Sequence, residues 1–406
     1  MSGKSFVEKE LSAPSVFKDE SKLSPDYVPP SLLHREEELR ILARTFRSLA
    51  EAPGEASYRL ILRGPIGSGK TALAKRFGSD FEAYVRKKKI NFKYVHVNCR
   101  EEGSFYGVLK NIIRRNFERG FPSRGYSSQE LLSIFIEILD KNNLHVLLAL
   151  DELEALIRKE GGDPLFSLTR LYEGRPPGSP QRLSLICIFR EPECEEAFKL
   201  LDASTLSTLG HNTVKLEGYT SGQLKEILEY RVHEAFQENA VEPEALELAA
   251  DLAGETGDAR FAIELLWLGG KFADTARSPR LLPEHIRAAQ MNIHPSLRRE
   301  DLKLLSLHEK LLLLAVARAL RLSQTAYLPI GDVEKEYSAV CEEYREKPRA
   351  HTQTWKYVKT LGMSGMMSTK ISGKGQRGKT TLLGLYVSSE RLEEELRRML
   401  ESKKHG

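Results

Sequence analysis

The 406-residue sequence contains no apolar run near the roughly 18 residues that a membrane-crossing helix needs. Its opening residues, Met1-Ser-Gly-Lys-Ser-Phe6, lack the apolar core of a secretory signal. No membrane partner is therefore expected. Cysteine is scarce: Cys99, Cys187, Cys194 and Cys341 are the four present, and no pair has zinc-ligand or redox spacing. This excludes a disulfide scaffold or a zinc-built fold and leaves reduced thiols in a cytoplasmic protein as the expectation. Charge of one sign is missing over a long stretch near the C-terminus. Between Lys347 and Ser389 there are eight Lys or Arg residues and no Asp or Glu, although the whole chain carries a net charge of only +4. Such a stretch is the footprint of a surface that meets phosphate, with a merely solvated face as the alternative.

Residues Gly64, Pro65, Ile66, Gly67, Ser68, Gly69, Lys70 and Thr71 spell the G-x-x-x-x-G-K-[ST] phosphate loop, directly after the apolar run Leu60-Ile61-Leu62. Glycines allow the backbone to curl its N–H groups toward phosphate, and the helix opening at Ala72 adds its positive end. Lys70 is expected to reach the β- and γ-phosphates of ATP or ADP, and Thr71 to ligate Mg²⁺. The second half of such a site needs an acidic residue on another buried strand. His145-Val-Leu-Leu-Ala-Leu-Asp151-Glu152 supplies it, since an apolar run without alternation suits a strand covered on both faces of a parallel sheet. Asp151 is read as a second Mg²⁺ holder and Glu152 as the group that orients or deprotonates water.

The length permits two or three domains. A buried helix from Leu305, a second near Ile330 to Arg345 and a third over His351 to Leu361 lead into a hairpin with a Gly-rich basic tip. Three helices followed by such a hairpin describe a winged helix. Trp355, Val358 and Leu361 should face its core, leaving Thr352, Gln353, Lys356 and Lys359 for DNA, with Lys370, Lys374, Arg377 and Lys379 along the wing. Protein docking is the alternative use of such a module. A helical region lies between, where Gly257-Asp258-Ala259-Arg260 opens a helix that presents Arg260 in its first turn.

Together these features resemble the archaeal Orc/Cdc-type replication initiators of the AAA+ superfamily, from about Tyr27 to Val387. The entry segment Tyr27-Val-Pro-Pro-Ser-Leu-Leu33-His34-Arg35, the phosphate loop, Asp151-Glu152, Val97-Asn98-Cys99 and the Gly-Asp-Ala-Arg at 257–260 carry the resemblance. It implies an α/β AAA+ P-loop domain with a helical lid and a C-terminal winged helix. The expected divisions are a flexible arm over 1–24, a nucleotide-binding domain over 25–216, a lid over 217–296 and a winged helix over 302–406. It also implies that Leu33, His34 and Arg35 border the adenine, that Arg260 is a sensor 2 residue aimed at the γ-phosphate, and that Ser104 to Gly125 is an insertion bringing Arg114 and Arg115 to DNA. Two departures matter. Arg190 stands where a sensor 1 asparagine is expected, and no arginine lies between Arg190 and Arg231 to act as a finger. Hydrolysis is therefore expected to be slow or single-turnover.

The implied function is ATP-regulated recognition of double-stranded origin DNA in the nucleoid, with a replicative helicase and related initiators as further partners. The alternatives are a site-specific DNA-binding regulator with a structural nucleotide, and a protein-remodelling helicase loader.

Overall fold

The computed structural model describes residues 5–117, 125–173, 175–209, 212–293, 299–371 and 380–402. Two compact units emerge: Val28–Tyr219 with Thr256–Ala259, and Met1–Tyr27 with Thr220–Glu255 and Arg260–Gly406. Among the described residues no helix is long and apolar enough to cross a membrane. All four cysteines are buried and free, and burial pushes the Cys187 thiol up to about 12.

The first unit is built on a five-stranded parallel sheet. Its strands are β1 (Arg59–Gly64), β2 (Phe92–Asn98), β3 (His145–Asp151), β4 (Leu183–Arg190) and β5 (Thr213–Lys215), in the order β2-β3-β4-β1-β5. Parallel strands need crossovers, and crossover helices cover both faces. Every residue of β3 is accordingly buried. Val146, Leu148 and Leu150 join one core with Ile112 and Phe135, while Leu147 and Ala149 join another with Leu73 and Phe77. Two buried faces explain why the strand reads as an unbroken apolar run rather than an alternating one.

This strand order has a chemical consequence. Because β4 lies between β1 and β3, its last residue, Arg190, falls between the phosphate loop that follows β1 and Asp151 at the end of β3. Three chemistries thus meet at the carboxyl edge of one sheet, the edge where open α/β sheets bind ligands.

The helix Phe105–Asn116, in the segment expected to be an insertion, starts at Ser104, whose hydroxyl accepts the Gly107 N–H at 3.1 Å. It buries Phe105, Val108, Leu109, Ile112 and Ile113. Arg114 and Arg115 remain exposed in its last turn, where positive charge suits the carbonyl end.

In the second unit the lid comprises the helices Ser221–Ala235, Pro243–Gly254, Ala259–Thr275 and Pro283–Ile293. The helix Leu307–Ser323, capped by a Ser306/Glu309 box, is apolar almost all round and forms the centre of the next core. Around it lie Ile330–Glu343, His351–Met363 and Ser389–Ser402, with an antiparallel sheet of β6 (Leu328–Pro329), β7 (Met367–Ile371) and β8 (Thr381–Leu385) in the order β6-β8-β7. This is the winged helix expected from the sequence.

The expectation of a flexible arm over 1–24 does not hold for its second half. Val16, Phe17 and Leu23 are buried against the lid. The Val16 N–H donates to the Asp274 carboxylate at 2.8 Å, Phe17 forms an antiparallel bridge with Phe236, and Glu20 accepts from Trp267 and Lys271 at 2.6 Å each. Three isolated apolar anchors make this contact, so no periodicity announces it.

Candidate functional site

In the phosphate loop Gly67 and Gly69 take φ of 71° and 88°, the left-handed region that glycine enters without strain. A side chain on Gly67 would collide with the Asp258 carboxylate, and one on Gly69 would come within 2.9 Å of the Tyr219 hydroxyl. The helix Lys70–Lys87 begins immediately after. Lys70 is buried, and its ammonium donates to the carbonyls of Gly64 at 2.8 Å and Pro65 at 2.6 Å. Ser68 is buried, Ile66 exposed, and Pro65 and Ala72 half-buried. A curled backbone, a helix N-terminus and an ammonium on one loop fit a nucleoside di- or triphosphate.

The Thr71 hydroxyl donates to Asp151 Oδ2 at 2.6 Å, bringing the two expected magnesium holders together. The same oxygen lies 3.1 Å from His96 Nε2, and Asp151 Oδ1 accepts the Glu152 N–H at 2.9 Å. Burial alone would raise the Asp151 pKa. The hydrogen bonds from His96, Thr71 and the Glu152 backbone outweigh it and hold the carboxyl below its ordinary value. Among the described residues no cluster of three or more His, Cys, Asp or Glu side chains forms a metal cage. One hydroxyl and one ionised carboxylate suit Mg²⁺, which keeps most of its shell for waters and substrate phosphates.

Glu152 sits in the left-handed region, at φ 50°, so its side chain departs from the strand direction. Arg190 binds it: Arg190 Nη2 lies 3.1 Å from Glu152 Oε2 and Arg190 Nε lies 3.1 Å from Glu154 Oε1. Arg100 Nη1 lies 3.6 Å from the same Glu152 oxygen. Glu154 is only 1% exposed, and burial raises its pKa despite its hydrogen bonds to backbone and Arg190. The candidate water-activating carboxylate is therefore ion-paired to two guanidinium groups through one oxygen, Oε2.

Arg35 is buried and braces the loop. Its guanidinium donates to the Ser68 carbonyl at 2.9 Å and the Glu217 carbonyl at 2.8 Å, and it lies over the Tyr219 ring at 4.0 Å. Leu33 and His34 precede it, half-buried, with His34 at φ 61°. The Ala259 N–H donates to the Gly67 carbonyl at 3.1 Å. Arg260 is exposed and belongs to the other unit.

On the winged helix, Val358 and Leu361 are buried, as the spacing requires, and Thr354 is buried with them while Trp355 is half-buried. Thr352, Lys356 and Lys359 are exposed and Gln353 is half-buried, so these four share the outward side of the helix. Lys374, Arg377 and Lys379 lie outside the described residues. Lys370 faces elsewhere: its ammonium is bound by Glu247 and Asp251 of the lid.

Three families match the chain in succession: the AAA domain over residues 56–198, the Cdc6 AAA+ ATPase-type lid domain over 225–291 and the CDC6 C-terminal winged helix domain over 300–395. The ORC1-type DNA replication protein 2 of Saccharolobus solfataricus is 36% identical over 379 residues, which cover 92% of this chain and 91% of that protein. The chain belongs to the ORC1-type DNA replication protein family. Among solved structures, Cdc6p from Pyrobaculum aerophilum aligns with a TM-score of 0.82 at 29% identity, covering 96% of this chain and all of that one. Two Aeropyrum pernix proteins align with TM-scores of 0.61: ORC1 in complex with DNA at 29% identity, covering 94% and 97% of the two chains, and ORC2 in ADPNP–ADP complexes at 26%, covering 96% and 100%. As an ORC1-type protein the chain is a replication initiator with the AAA+, lid and winged-helix architecture read from its sequence.

Sequence reasoning missed His96, Arg100 and Glu154. His96 had a signal, an imidazole two residues before the end of a strand whose last residue, Asn98, pairs in register with Asp151. Arg100 and Glu154 had none beyond lying near Asn98 and Glu152. The lid carboxylates that bind Lys370 were equally hidden, more than a hundred residues away in sequence.

Proposed function

We propose that this ORC1-type protein binds ATP or ADP with Mg²⁺ and recognises duplex DNA at replication origins, with DNA recognition as the output and nucleotide as the regulator. Lys70 meets the β- and γ-phosphates, Thr71 and Asp151 hold the magnesium, and Leu33, His34 and Arg35 line the adenine side. Arg260 reports the γ-phosphate to the lid. Thr352, Gln353, Lys356 and Lys359 meet DNA from the recognition helix, Arg114 and Arg115 from the insertion helix, and Lys374, Arg377 and Lys379 from the wing. The observation that carries the DNA reading is the outward side of His351–Met363, which holds Lys356 and Lys359 over a buried Val358/Leu361 side. The solved relative bound to DNA supports the same reading.

Turnover is slow in this proposal because Glu152 is engaged by Arg190 and Arg100. Helicase recruitment and assembly with related initiators extend it, in a nucleoid-associated cytoplasmic protein. The test is Lys70→Ala. Nucleotide affinity should fall strongly, and DNA affinity should lose its dependence on nucleotide. Unchanged, nucleotide-dependent DNA binding by a folded Lys70→Ala protein would contradict the regulatory role.

One observation favours protein docking as a second reading. Met363 and Ile371, at 91% and 69% exposure, place apolar surface at the end of the recognition helix and at the base of the wing.

A further inference from the structure

The lid helix Pro243–Gly254 carries Glu244, Glu247 and Asp251 at three- and four-residue spacing, so they share one side, and Glu255 at its C-terminal end extends the row. Each of these carboxylates takes a donor from the winged helix. The Ala326 N–H donates to Glu244 at 2.7 Å, and the Tyr327 hydroxyl donates to Asp251 at 2.9 Å. Lys370 donates to Glu247 at 2.6 Å and to Asp251 at 2.8 Å, and the Tyr386 hydroxyl donates to Glu255 at 2.7 Å. The Lys370 ammonium also lies 5.4 Å from the centre of the Tyr327 ring. Burial works against its charge, yet the two carboxylates hold its pKa above the ordinary lysine value.

Lys370 belongs to the acid-free, eight-cation stretch that gives the winged helix its positive surface, and it stands on β7, the strand that leads into the wing. Two carboxylates on one ammonium leave that spot with a net negative charge. A phosphate approaching the base of the wing would meet repulsion there, where the sequence alone promises attraction.

We infer that the acidic side of the lid helix competes with DNA for the base of the wing: Lys370 is held by Glu247 and Asp251, and it reaches phosphate only when that contact opens. The inference rests on the reading of the winged helix as the DNA-binding module. It turns the lid into a restraint on DNA binding, so that whatever moves the lid helix also sets how much positive charge the wing presents.

The test uses the full chain and a labelled mixed-sequence duplex, because the salt-dependent part of binding is independent of sequence. Glu247→Gln/Asp251→Asn should bind several-fold tighter at low salt than the unaltered protein. Its plot of log affinity against log salt should be steeper by about 0.9, the contribution of one added phosphate contact. Lys370→Ala should keep the unaltered slope, since its cation is already engaged. Adding Lys370→Ala to the double amide variant should abolish the gain.

A double amide variant with the unaltered slope overturns the inference. So does a Lys370→Ala slope shallower by about 0.9, because Lys370 would then already be on DNA. A gain that survives in the triple variant overturns it too, as it would come from lost acidity in general. A parallel Lys356→Ala/Lys359→Ala protein separates the two levels. If its slope also stays unchanged, the DNA reading of the winged helix fails and takes the inference with it. If its slope falls while the amide variant is silent, only the inference fails.

Discussion

Arg190 sets a guanidinium against the candidate water-activating carboxylate at the carboxyl edge of the sheet. It ends β4, between the phosphate loop and Asp151, and binds both Glu152 and Glu154. A carboxylate held by a guanidinium is a poor base, because taking a proton means giving up a charge-assisted hydrogen bond. General-base assistance is worth ~10²–10⁴-fold in rate, so Arg190→Asn should raise single-turnover ATP hydrolysis by about tenfold or more. Glu152→Gln in the same background should remove the gain. A rapid-quench measurement decides it, and an Asn variant no faster than the parent would show that Arg190 does not restrain Glu152. The position of Arg190 was legible, because the apolar run Leu183 to Phe189 has to end there. Its partners were not, since Glu154 reaches it, and Arg100 reaches Glu152, only through the packing of two neighbouring helices on the strand ends.

At the scale of elements, the apolar periods were the most readable part of the chain. The continuous run of β3 announced a doubly covered strand, and Val358 and Leu361 fixed the inward side of His351–Met363. Trp355 departs from that spacing. The helix turns Thr354 fully inward and leaves the indole half-buried, with Lys359 lying 5.9 Å from its ring centre. A large amphipathic ring at the margin of a core reads in sequence like a central residue. Leu361→Ala should therefore destabilise the winged helix by about 2–5 kcal/mol in denaturant unfolding. A loss under about 0.5 kcal/mol, the range of ordinary surface substitutions, would put Leu361 outside the core.

At the scale of the whole molecule, the three-part order of the AAA domain, lid and winged helix was legible from motif order, whereas the partners of the N-terminal residues were not. The segment around Val16, Phe17 and Leu23 packs with the lid, and the chain then passes at Tyr27 and Val28 into the unit that holds the phosphate loop. Burial of one such side chain contributes ~1.5–3 kcal/mol. Removing residues 1–24 should lower the thermal midpoint clearly, and removing 1–12 should leave it nearly unchanged. Equal midpoints for both truncations would show that the anchors add nothing.

We propose that this initiator reads duplex DNA through the outward side of the helix His351–Met363. The most direct test measures binding of the purified protein to genomic duplex fragments across a salt series, beside Lys356→Ala/Lys359→Ala, with footprinting of bound fragments. The expected result is nanomolar binding at a few discrete sites, with a salt slope about 1.8 shallower in the double variant, two phosphate contacts at about 0.9 each. Weak binding without site preference, and a slope that the double variant leaves unchanged, would contradict the claim and make this surface a protein-docking face.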